Sequence, residues 1–309
     1  MRAFLHGFGM HVPERVVTNA EMAARVGRTP EWIEGVSGIG ERRWAAAETS
    51  VPDLAVTAAH DCLARAGVTA ASLGLIIVAS GSARPGFPGP AGEVAARLGL
   101  EGTPAIDVPM ASAGGLFGMA MAAQMTAQFG DVLVIGAEKM SAVIESGALD
   151  PNTAILFGDG AGAVLVSARP GSWEIVDAVL HSDGQYRDSL AFDWSAPLRM
   201  NGLSVILQAA RKLPSSIEEV LTRQKVPAAD VKTFLLHQAN QNLLMRVAKS
   251  LGVPAERVYS NLARYGNTSS ASMLIAAAEW SQSDPAAGLV VFSAFGAGFH
   301  WGALLVRGV

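Results

Sequence analysis

The chain repeats one series of short sequence patterns in its two halves. Each match by itself is weak evidence of a repeat, because short apolar sequences recur by chance. Matches in the same order at similar offsets are stronger, and they indicate an internal duplication with two similar units. Three such pairs occur, at offsets of 153, 157 and 140 residues: Val94–Leu100 with Val247–Val253, Gly130–Gly136 with Ala287–Ser293, and Gly162–Val166 with Gly302–Val306.

Each half alternates short apolar runs with segments typical of amphipathic helices. Continuous apolar runs indicate strands covered on both faces, as in the sheets of α/β proteins. Ser50-Val-Pro-Asp53 combines a helix-capping serine, a proline in the first turn and an acid three residues on, and predicts a helix to about Ala66. The predicted strands are Leu75–Ala79, Ala105–Val108, Val132–Gly136, Ala163–Val166, Phe234–Leu236 and Leu289–Phe292.

These patterns predict an α/β fold of two halves, residues 1–170 and 171–309, that pack as one body. The boundary is placed at Ala168–Trp173, between the last predicted strand of the first half and the second half. Because the halves are equivalent, we expect a functional site where their corresponding loops meet.

Composition excludes several classes of function. Half of the 309 residues are hydrophobic, which is enough for a sizeable core. Lys plus Arg is 23 and Asp plus Glu is 27, so the net charge is −4, and no basic stripe favours nucleic acid as a partner. We find neither an apolar run of about 18 residues nor a leader-like start, and expect a cytoplasmic protein with no membrane partner. Cys62 is the single cysteine, which excludes an internal disulfide and a cysteine zinc site, and we expect no metal.

Ser112 is the first candidate for chemistry. The segment Met110–Gly115 (MASAGG) joins the predicted strand Ala105–Val108 to a helix of small residues, about Gly115–Gln128. The N-terminus of a helix offers free N–H groups and a dipole that favours negative charge, so Ser112 is placed as a nucleophile would be. The alternative is that Ser112 only caps this helix, as serine often does.

Three further segments could contribute to a site. His237 follows the strand at Leu236, although a lone histidine there is more often structural. Adding 153 to 157 to 112 gives 265–269, so Asn267 is assigned as the counterpart of Ser112 in the second half, although a Gly-Asn pair is usually only a turn. The segment Ala294–Phe299 (AFGAGF) is a hairpin loop or a source of backbone N–H groups for an oxyanion. Phe157–Gly162 resembles a phosphate loop, but no Gly-Lys-Ser/Thr follows, and we interpret it as structural.

Together these segments resemble the condensing enzymes of the thiolase superfamily. Within that superfamily the chain is most similar to β-ketoacyl-ACP synthase III, the initiating ketosynthase, and to its acyltransferase relatives. The resemblance covers nearly the whole chain. It rests on Leu5–Gly9 with Pro13, Glu31–Ile33, Gly38–Arg42, Phe157–Gly162, His181–Gly184, His237–Asn240, Gly266–Ser269 and Phe295–Phe299.

The resemblance implies the thiolase fold, with two pseudo-symmetric βαβαβαββ halves in five layers (α-β-α-β-α), and a homodimer. It implies acyl transfer from a CoA or carrier-protein thioester to a nucleophile at position 112. His237 and Asn267 would then stabilise the enolate that forms when a malonyl extender loses CO2. The N–H groups of Ser112 and Ala297 would form the oxyanion hole, and Asn240 would brace Asn267.

The same resemblance implies how the substrate is bound. No metal or redox cofactor is expected, since the CoA or phosphopantetheine thioester is itself the substrate. Trp32 would stack on adenine. The implied substrate-binding residues are Trp32, Phe87, Met200, Gly202, Ala239, Asn240 and Phe295.

One departure concerns the nucleophile, because the family has cysteine where this chain has Ser112. A serine hydroxyl is far less acidic than a thiol, whose pKa is about 8.5, so it needs a base, and His237 is the available one. Two explanations stay open: a natural serine-type member, or a serine introduced to trap a ligand. The alternative functions are a serine acyltransferase of polyketide or other secondary metabolism, a serine esterase or thioesterase, and a non-catalytic partner subunit.

A second departure concerns charge. Val36, Leu207 and Asn242 stand where the family has cationic residues that meet CoA or the carrier protein. The loop Asp150–Ala154 is shorter than in the family and lacks a further cationic residue that the family has there. The candidates to replace these cations are four residues on nearby predicted helices, Arg211, Lys212, Arg246 and Lys249.

Overall fold

A computed structural model describes residues 2–84, 86–283 and 288–309 of the chain. Ala287, the first residue of one predicted repeat, lies outside the described residues. The described strands are β1 (Ala3–His11), β2 (Val16–Thr18), β3 (Glu41–Arg43), β4 (Leu73–Ala79), β5 (Ala105–Val108), β6 (Asp131–Lys139), β7 (Asp159–Ser167), β8 (Trp173–Ser182), β9 (Leu190–Asp193), β10 (Ala196–Met200), β11 (Val231–Leu236), β12 (Val258–Tyr259), β13 (Leu289–Gly296) and β14 (His300–Gly308).

Helices connect these strands. The described α-helices are α1 (Asn19–Val26), α2 (Pro30–Ser37), α3 (Val51–Ala66), α4 (Pro90–Arg97), α5 (Gly114–Phe129), α6 (Met140–Glu145), α7 (Pro151–Ala154), α8 (Gly202–Arg223), α9 (Gln241–Leu251), α10 (Leu262–Tyr265) and α11 (Ser272–Ser283).

The predicted helix at Ser50 is confirmed at both ends. The Ser50 hydroxyl accepts from the Asp53 N–H, and the Asp53 carboxylate accepts from the Ser50 N–H at 2.6 Å, which together form a capping box. Gly67 then ends α3 in the left-handed conformation at φ 66°. The helix predicted over Gly115–Gln128 is also present, extended by one residue at each end.

The sheet displays the duplication directly. Within the described residues, ten strands form one mixed sheet in the order β12-β11-β13-β14-β8-β1-β7-β6-β4-β5. Numbered within its own half, each set of five strands has the spatial order 3-2-4-5-1, and each half runs βαβαβαββ along the chain. The two sets meet where β1 and β8 pair antiparallel, from Ala3 with Ile175 to Leu5 with Trp173.

Three hydrophobic cores separate five layers. The central core places Leu116 of α5 and Leu274 of α11 between the two halves of the sheet. On the outer face of the first half, α3 and α4 cover β4, β6 and β7. On the outer face of the second half, α8 and α9 cover β11, β13 and β14. The predicted α-β-α-β-α thiolase fold is therefore confirmed.

Smaller elements form a cap on the first half. Buried side chains of α1, α2, α6 and the segment around Phe157 make a fourth cluster, and side chains of the β9–β10 hairpin pack against it. Met140 and Phe192 of this cap lie around the same space as Ser112 and His237, which follow the carboxyl ends of β5 and β11. Among the described residues no helix is long and apolar enough to cross a membrane.

Candidate active site

Ser112 lies in a strained turn between β5 and α5. Its φ is 63°, in the left-handed region that costs a non-glycine residue energy, and its side chain is almost fully buried. The N-cap of α5 is Ala113, and no side chain of the described residues caps this helix. The alternative that Ser112 is merely a cap is therefore wrong, and its hydroxyl remains available beside the helix N-terminus.

Two groups from the second half hold this turn. The Ser112 N–H donates to Ser269 Oγ at 2.9 Å. On the other side Gly296 presses so closely that a Cβ there would lie 2.2 Å from the Ala111 carbonyl oxygen. Ser269 also has a positive φ, 48°, and lies 157 residues after Ser112. The structural counterpart of Ser112 is therefore Ser269, and the assignment of Asn267 to that position is corrected by two residues.

His237 is fixed through one ring nitrogen. Its Nδ1 lies 2.6 Å from Ser272 Oγ, which also accepts from the Gln238 N–H at 3.0 Å. The buried Ser272 hydroxyl has no other acceptor among the described residues, so its proton is assigned to the bond with Nδ1. This assignment leaves the histidine proton on Nε2. Burial lowers the pKa of His237 to about 4, so the imidazole is neutral near pH 7.

Asn267 is held by its backbone and by its side-chain oxygen. Its N–H donates to the Leu156 carbonyl at 2.8 Å, and its own carbonyl accepts from the Gly158 N–H at 3.1 Å. Oδ1 accepts from the Ser269 N–H at 2.9 Å, which directs the amide. Nδ2 has no acceptor within the described part of the chain, so it is a donor available to a ligand. The Phe157–Gly162 segment is structural, as predicted, and part of its structural role is to hold Asn267.

Asn240 does not brace Asn267. Its Oδ1 accepts from the Asn242 N–H at 2.8 Å and caps α9, while its Nδ2 donates to the Val36 carbonyl at 2.9 Å. Both ends of the amide are thus committed to fixing the start of α9 against α2. The predicted brace is wrong, and Ser269 occupies that role instead.

The predicted oxyanion donors differ in availability. Ala297 lies in the hairpin between β13 and β14, and its N–H has no partner among the described residues. The Ser112 N–H, in contrast, is occupied by Ser269 Oγ. An oxyanion at this site therefore meets one free donor and one that is shared with a hydroxyl.

These groups line one cavity of about 390 Å³, within the range of small-molecule sites. The polar groups Ser112, His237, Asn267 and Asn240 occupy its wall together with Ala297. Most of the remaining lining is apolar, and it is supplied by both halves and by the cap. The apolar side chains include Met140, Val143, Leu156, Phe157, Phe192, Leu198, Met200, Val205, Ile206, Leu213, Leu243 and Phe295.

Most of the predicted substrate-binding residues lie in this wall. Met200, Gly202, Ala239, Asn240 and Phe295 all line the cavity. Across the described ranges, the other two predicted residues are not part of its lining. Trp32 packs on the cap with the Arg28 guanidinium 5.3 Å from its ring centre. Phe87 is 99% exposed.

Lys212 and Arg211 are already engaged. The Lys212 ammonium lies 3.7 Å from the Trp301 ring centre and 3.5 Å from Asp183. Arg211 donates to Gln208 at 2.9 Å. The segment Asp150–Ala154 forms the short helix α7 with its cap.

The position of Leu207 fits an apolar rim. One face of the first turns of α8 is apolar and exposed. Its residues are Leu203, Ile206 and Leu207, which are 71%, 36% and 56% exposed. Ile206 also lines the cavity. Arg246 and Lys249 are exposed on α9 and remain the candidate cations.

Glu138 was missed in the sequence. This fully buried carboxylate accepts from the N–H groups of Gly81, Ser82 and Ser270, and from the hydroxyls of Ser80 and Ser82. It thereby ties a loop of the first half to the Ser269–Ala271 turn of the second. An acidic residue at the end of an apolar strand is the only signal that could have drawn attention to it.

Cys62 lies apart from these groups. Its side chain is fully buried in the outer core of the first half, and burial raises the pKa of its thiol to about 12. It therefore offers no thiolate to the cavity. Across the described ranges no cluster of three His, Cys, Asp or Glu side chains could hold a metal ion.

Comparison with known proteins identifies the family. Family profiles described as 3-oxoacyl-[acyl-carrier-protein (ACP)] synthase III, and as its C-terminal part, match residues 106–184 and 221–308. The β-ketoacyl-[acyl-carrier-protein] synthase III of Oleidesulfovibrio alaskensis is 37% identical over 99% of both chains.

Solved structures give the same result. The 3-oxoacyl-[acyl-carrier-protein] synthase III of Aquifex aeolicus superposes with a TM-score of 0.94 at 34% identity, covering 99% of both chains. The priming β-ketosynthase of the R1128 polyketide pathway gives 0.90 at 29% identity, covering 99% of this chain and 96% of the other. The chain therefore belongs to the β-ketoacyl-[acyl-carrier-protein] synthase III family and is an acyltransferase of the thiolase fold.

Proposed function

We propose that this protein transfers an acyl group from a CoA or carrier-protein thioester to Ser112 and condenses it with a malonyl thioester. In the first step the Ser112 Oγ–carbon bond forms as the thioester C–S bond breaks, and the hydroxyl proton ends on the departing thiol. In the second step the malonyl C–CO2 bond breaks, and its electrons form an enolate. The carbanion attacks the acyl carbon, Ser112 leaves, and one proton is consumed.

The observation that carries the proposal is the hydrogen bonding of His237. With the proton on Nε2 and Nδ1 occupied by Ser272, the imidazole is a neutral donor facing the cavity. The amide Nδ2 of Asn267 is a second donor in the same cavity. Two such donors suit a developing enolate oxygen.

The same pattern argues against a serine esterase. A general base must receive the serine proton on an unprotonated nitrogen, and an orienting carboxylate commonly stabilises the imidazolium. Here Nδ1 has a hydroxyl partner, and Nε2 carries the proton under the assignment above. The site is thus built for donation to an oxygen rather than for activation of a hydroxyl, and acylation of Ser112 without a general base is expected to be slow. This arrangement favours the explanation in which serine stands in a site shaped for cysteine.

The acyl donor and the assembly are part of the proposal. The apolar cavity wall beside Ser112 supports an acyl substrate, and Arg246 and Lys249 on α9 are candidates to meet its charged handle. We further propose a cytoplasmic homodimer. The fully exposed Phe87 ring is consistent with an interface at that loop, and sedimentation velocity measures the assembly.

The proposal is tested by product analysis. The protein is incubated with an acyl-CoA panel and malonyl thioesters of CoA and of a carrier protein, and the products are separated by mass spectrometry. A 3-oxoacyl thioester released with equimolar CO2 is expected. Free fatty acid without CO2 would instead support hydrolysis, and no turnover with any pair would support a non-catalytic subunit.

A further inference from the structure

Ser269 connects the two groups on which the proposed chemistry depends. Its Oγ accepts from the Ser112 N–H, and its own N–H donates to Asn267 Oδ1, both at 2.9 Å. It is 1% exposed and lines the cavity. One residue of the second half therefore contacts the nucleophile turn of the first half and the amide that faces the substrate.

The Ser112 turn needs such support, because it is strained. A left-handed conformation costs a non-glycine residue free energy, and it persists only where the surroundings enforce it. The turn is fixed by Ser269 Oγ on one side and by the close approach of Gly296 on the other. Removal of the Ser269 hydroxyl has two unfavourable effects on this turn. It removes a contact that holds the strained backbone, and it leaves the buried Ser112 N–H without an acceptor.

The duplication explains why this serine is in place. Ser269 lies 157 residues after Ser112, the same offset that relates β6 to β13 in the repeats, and both serines have a positive φ. The two equivalent turns face each other across the central layer. The turn of the second half carries no nucleophile role, and its side chain is free to support the turn of the first.

We propose, resting on the proposed function, that Ser269 is a positioning residue that holds Ser112 in its reactive conformation through its hydroxyl. Ser269 forms no bond to the substrate. Its hydroxyl fixes the Ser112 turn and so affects the rate of acylation, whereas its backbone N–H orients the Asn267 amide. The two effects are separable, because substitution of the side chain removes only the first.

The test compares Ser269→Ala and Ser269→Gly with a matched control, Ser270→Ala. Alanine lacks the hydroxyl but keeps the Cβ, and with it the strain of a positive φ at position 269. Glycine lacks the hydroxyl and the Cβ, and therefore also relieves this strain. Ser270 is equally buried, and its hydroxyl donates to the Ala79 carbonyl at 3.0 Å rather than to the nucleophile turn. Three quantities are measured: single-turnover acylation by an acyl-CoA, CO2 release from a malonyl thioester supplied without any acyl donor, and thermal stability.

We expect both Ser269 variants to acylate roughly 10- to 100-fold more slowly, as for a buried N–H that loses its acceptor. CO2 release stays within about twofold of the unaltered protein, because the Ser269 N–H bond to Asn267 remains. Ser270→Ala acylates normally. A purely structural role would lower both rates together with the melting temperature. Acylation at the original rate or faster would overturn the proposal. A faster rate would mean that the Ser269 hydroxyl competes with the oxyanion for the Ser112 N–H.

Amide hydrogen exchange tests the same bond without any activity. The Ser112 N–H is expected to exchange slowly in the unaltered protein and in Ser270→Ala, and at least tenfold faster in Ser269→Ala. Unchanged exchange at Ser112 would overturn the proposal. If no thioester acylates Ser112 while exchange responds as expected, the proposed function fails and the positioning contact stands.

Discussion

His237 couples the stability of the fold to pH. Burial lowers its pKa from 6.5 to about 4, so the folded protein keeps a neutral imidazole where the unfolded chain binds a proton. The stability that the neutral form provides is complete above about pH 6.5 and is lost as the pH falls towards 4. At about 1.4 kcal/mol per pKa unit, the loss at pH 4 is about 3 kcal/mol.

The perturbation that isolates this contribution is His237→Gln, which removes the titrating group. The free energy of unfolding in urea is measured by circular dichroism from pH 7.5 to pH 4 for both proteins. The difference between them should change by about 3 kcal/mol over this interval, in favour of the variant at low pH. His11 and His300, whose pKa values burial also lowers, are present in both proteins and cancel.

His300→Gln is the matched control. Its ring also lines the cavity, but it is more exposed, and its Nδ1 lies 2.7 Å from the hydroxyl of Ser182. A smaller change in the same pH interval is expected for this variant. Parallel curves for His237→Gln and the unaltered protein would refute the neutral, buried histidine on which the donor role depends.

Three further substitutions test the site. Asn267→Ala should slow CO2 release from a malonyl thioester by about 100- to 1,000-fold, with Asn152→Ala, an exposed amide on α7, as a control that keeps the rate; an unchanged rate in Asn267→Ala contradicts the donor role. Ser112→Cys should acylate much faster in single-turnover assays and keep this gain at acidic pH, because the helix N-terminus lowers the pKa of a thiol; no gain would indicate a dedicated serine enzyme. Gly296→Ala should slow acylation by about 100-fold, because its Cβ would meet the Ala111 carbonyl oxygen at 2.2 Å and shift the turn; an unchanged acylation rate would show that this close approach does not position Ser112.

Features that repeat along the chain could be predicted from the sequence. The predicted strands are all present, most of them longer than predicted, because a strand buried on both faces is a continuous apolar run. The capping box of α3 is local in sequence and was equally visible. Ser112 and His237 were found because each follows a predicted strand, and Asn267 because the repeat offsets placed it within two residues of the true counterpart of Ser112.

Contacts between distant side chains could not be predicted. Ser272 lies 35 residues after His237, and no pattern indicates that it meets Nδ1. A motif names a residue type but not the direction of its side chain, which is why Asn240 was assigned to Asn267 although it caps α9. The position of Ser269 could have been predicted, because adding the 157-residue offset of the strand repeat to 112 gives 269.

Covalent labelling shows which residue receives the acyl group. The protein and its Ser112→Ala variant are incubated with an acyl-CoA panel, and intact-mass spectrometry is followed by peptide mapping. One added acyl group is expected, located on Ser112 and absent from the variant. An acyl group on another residue, or labelling that persists in Ser112→Ala, would contradict it.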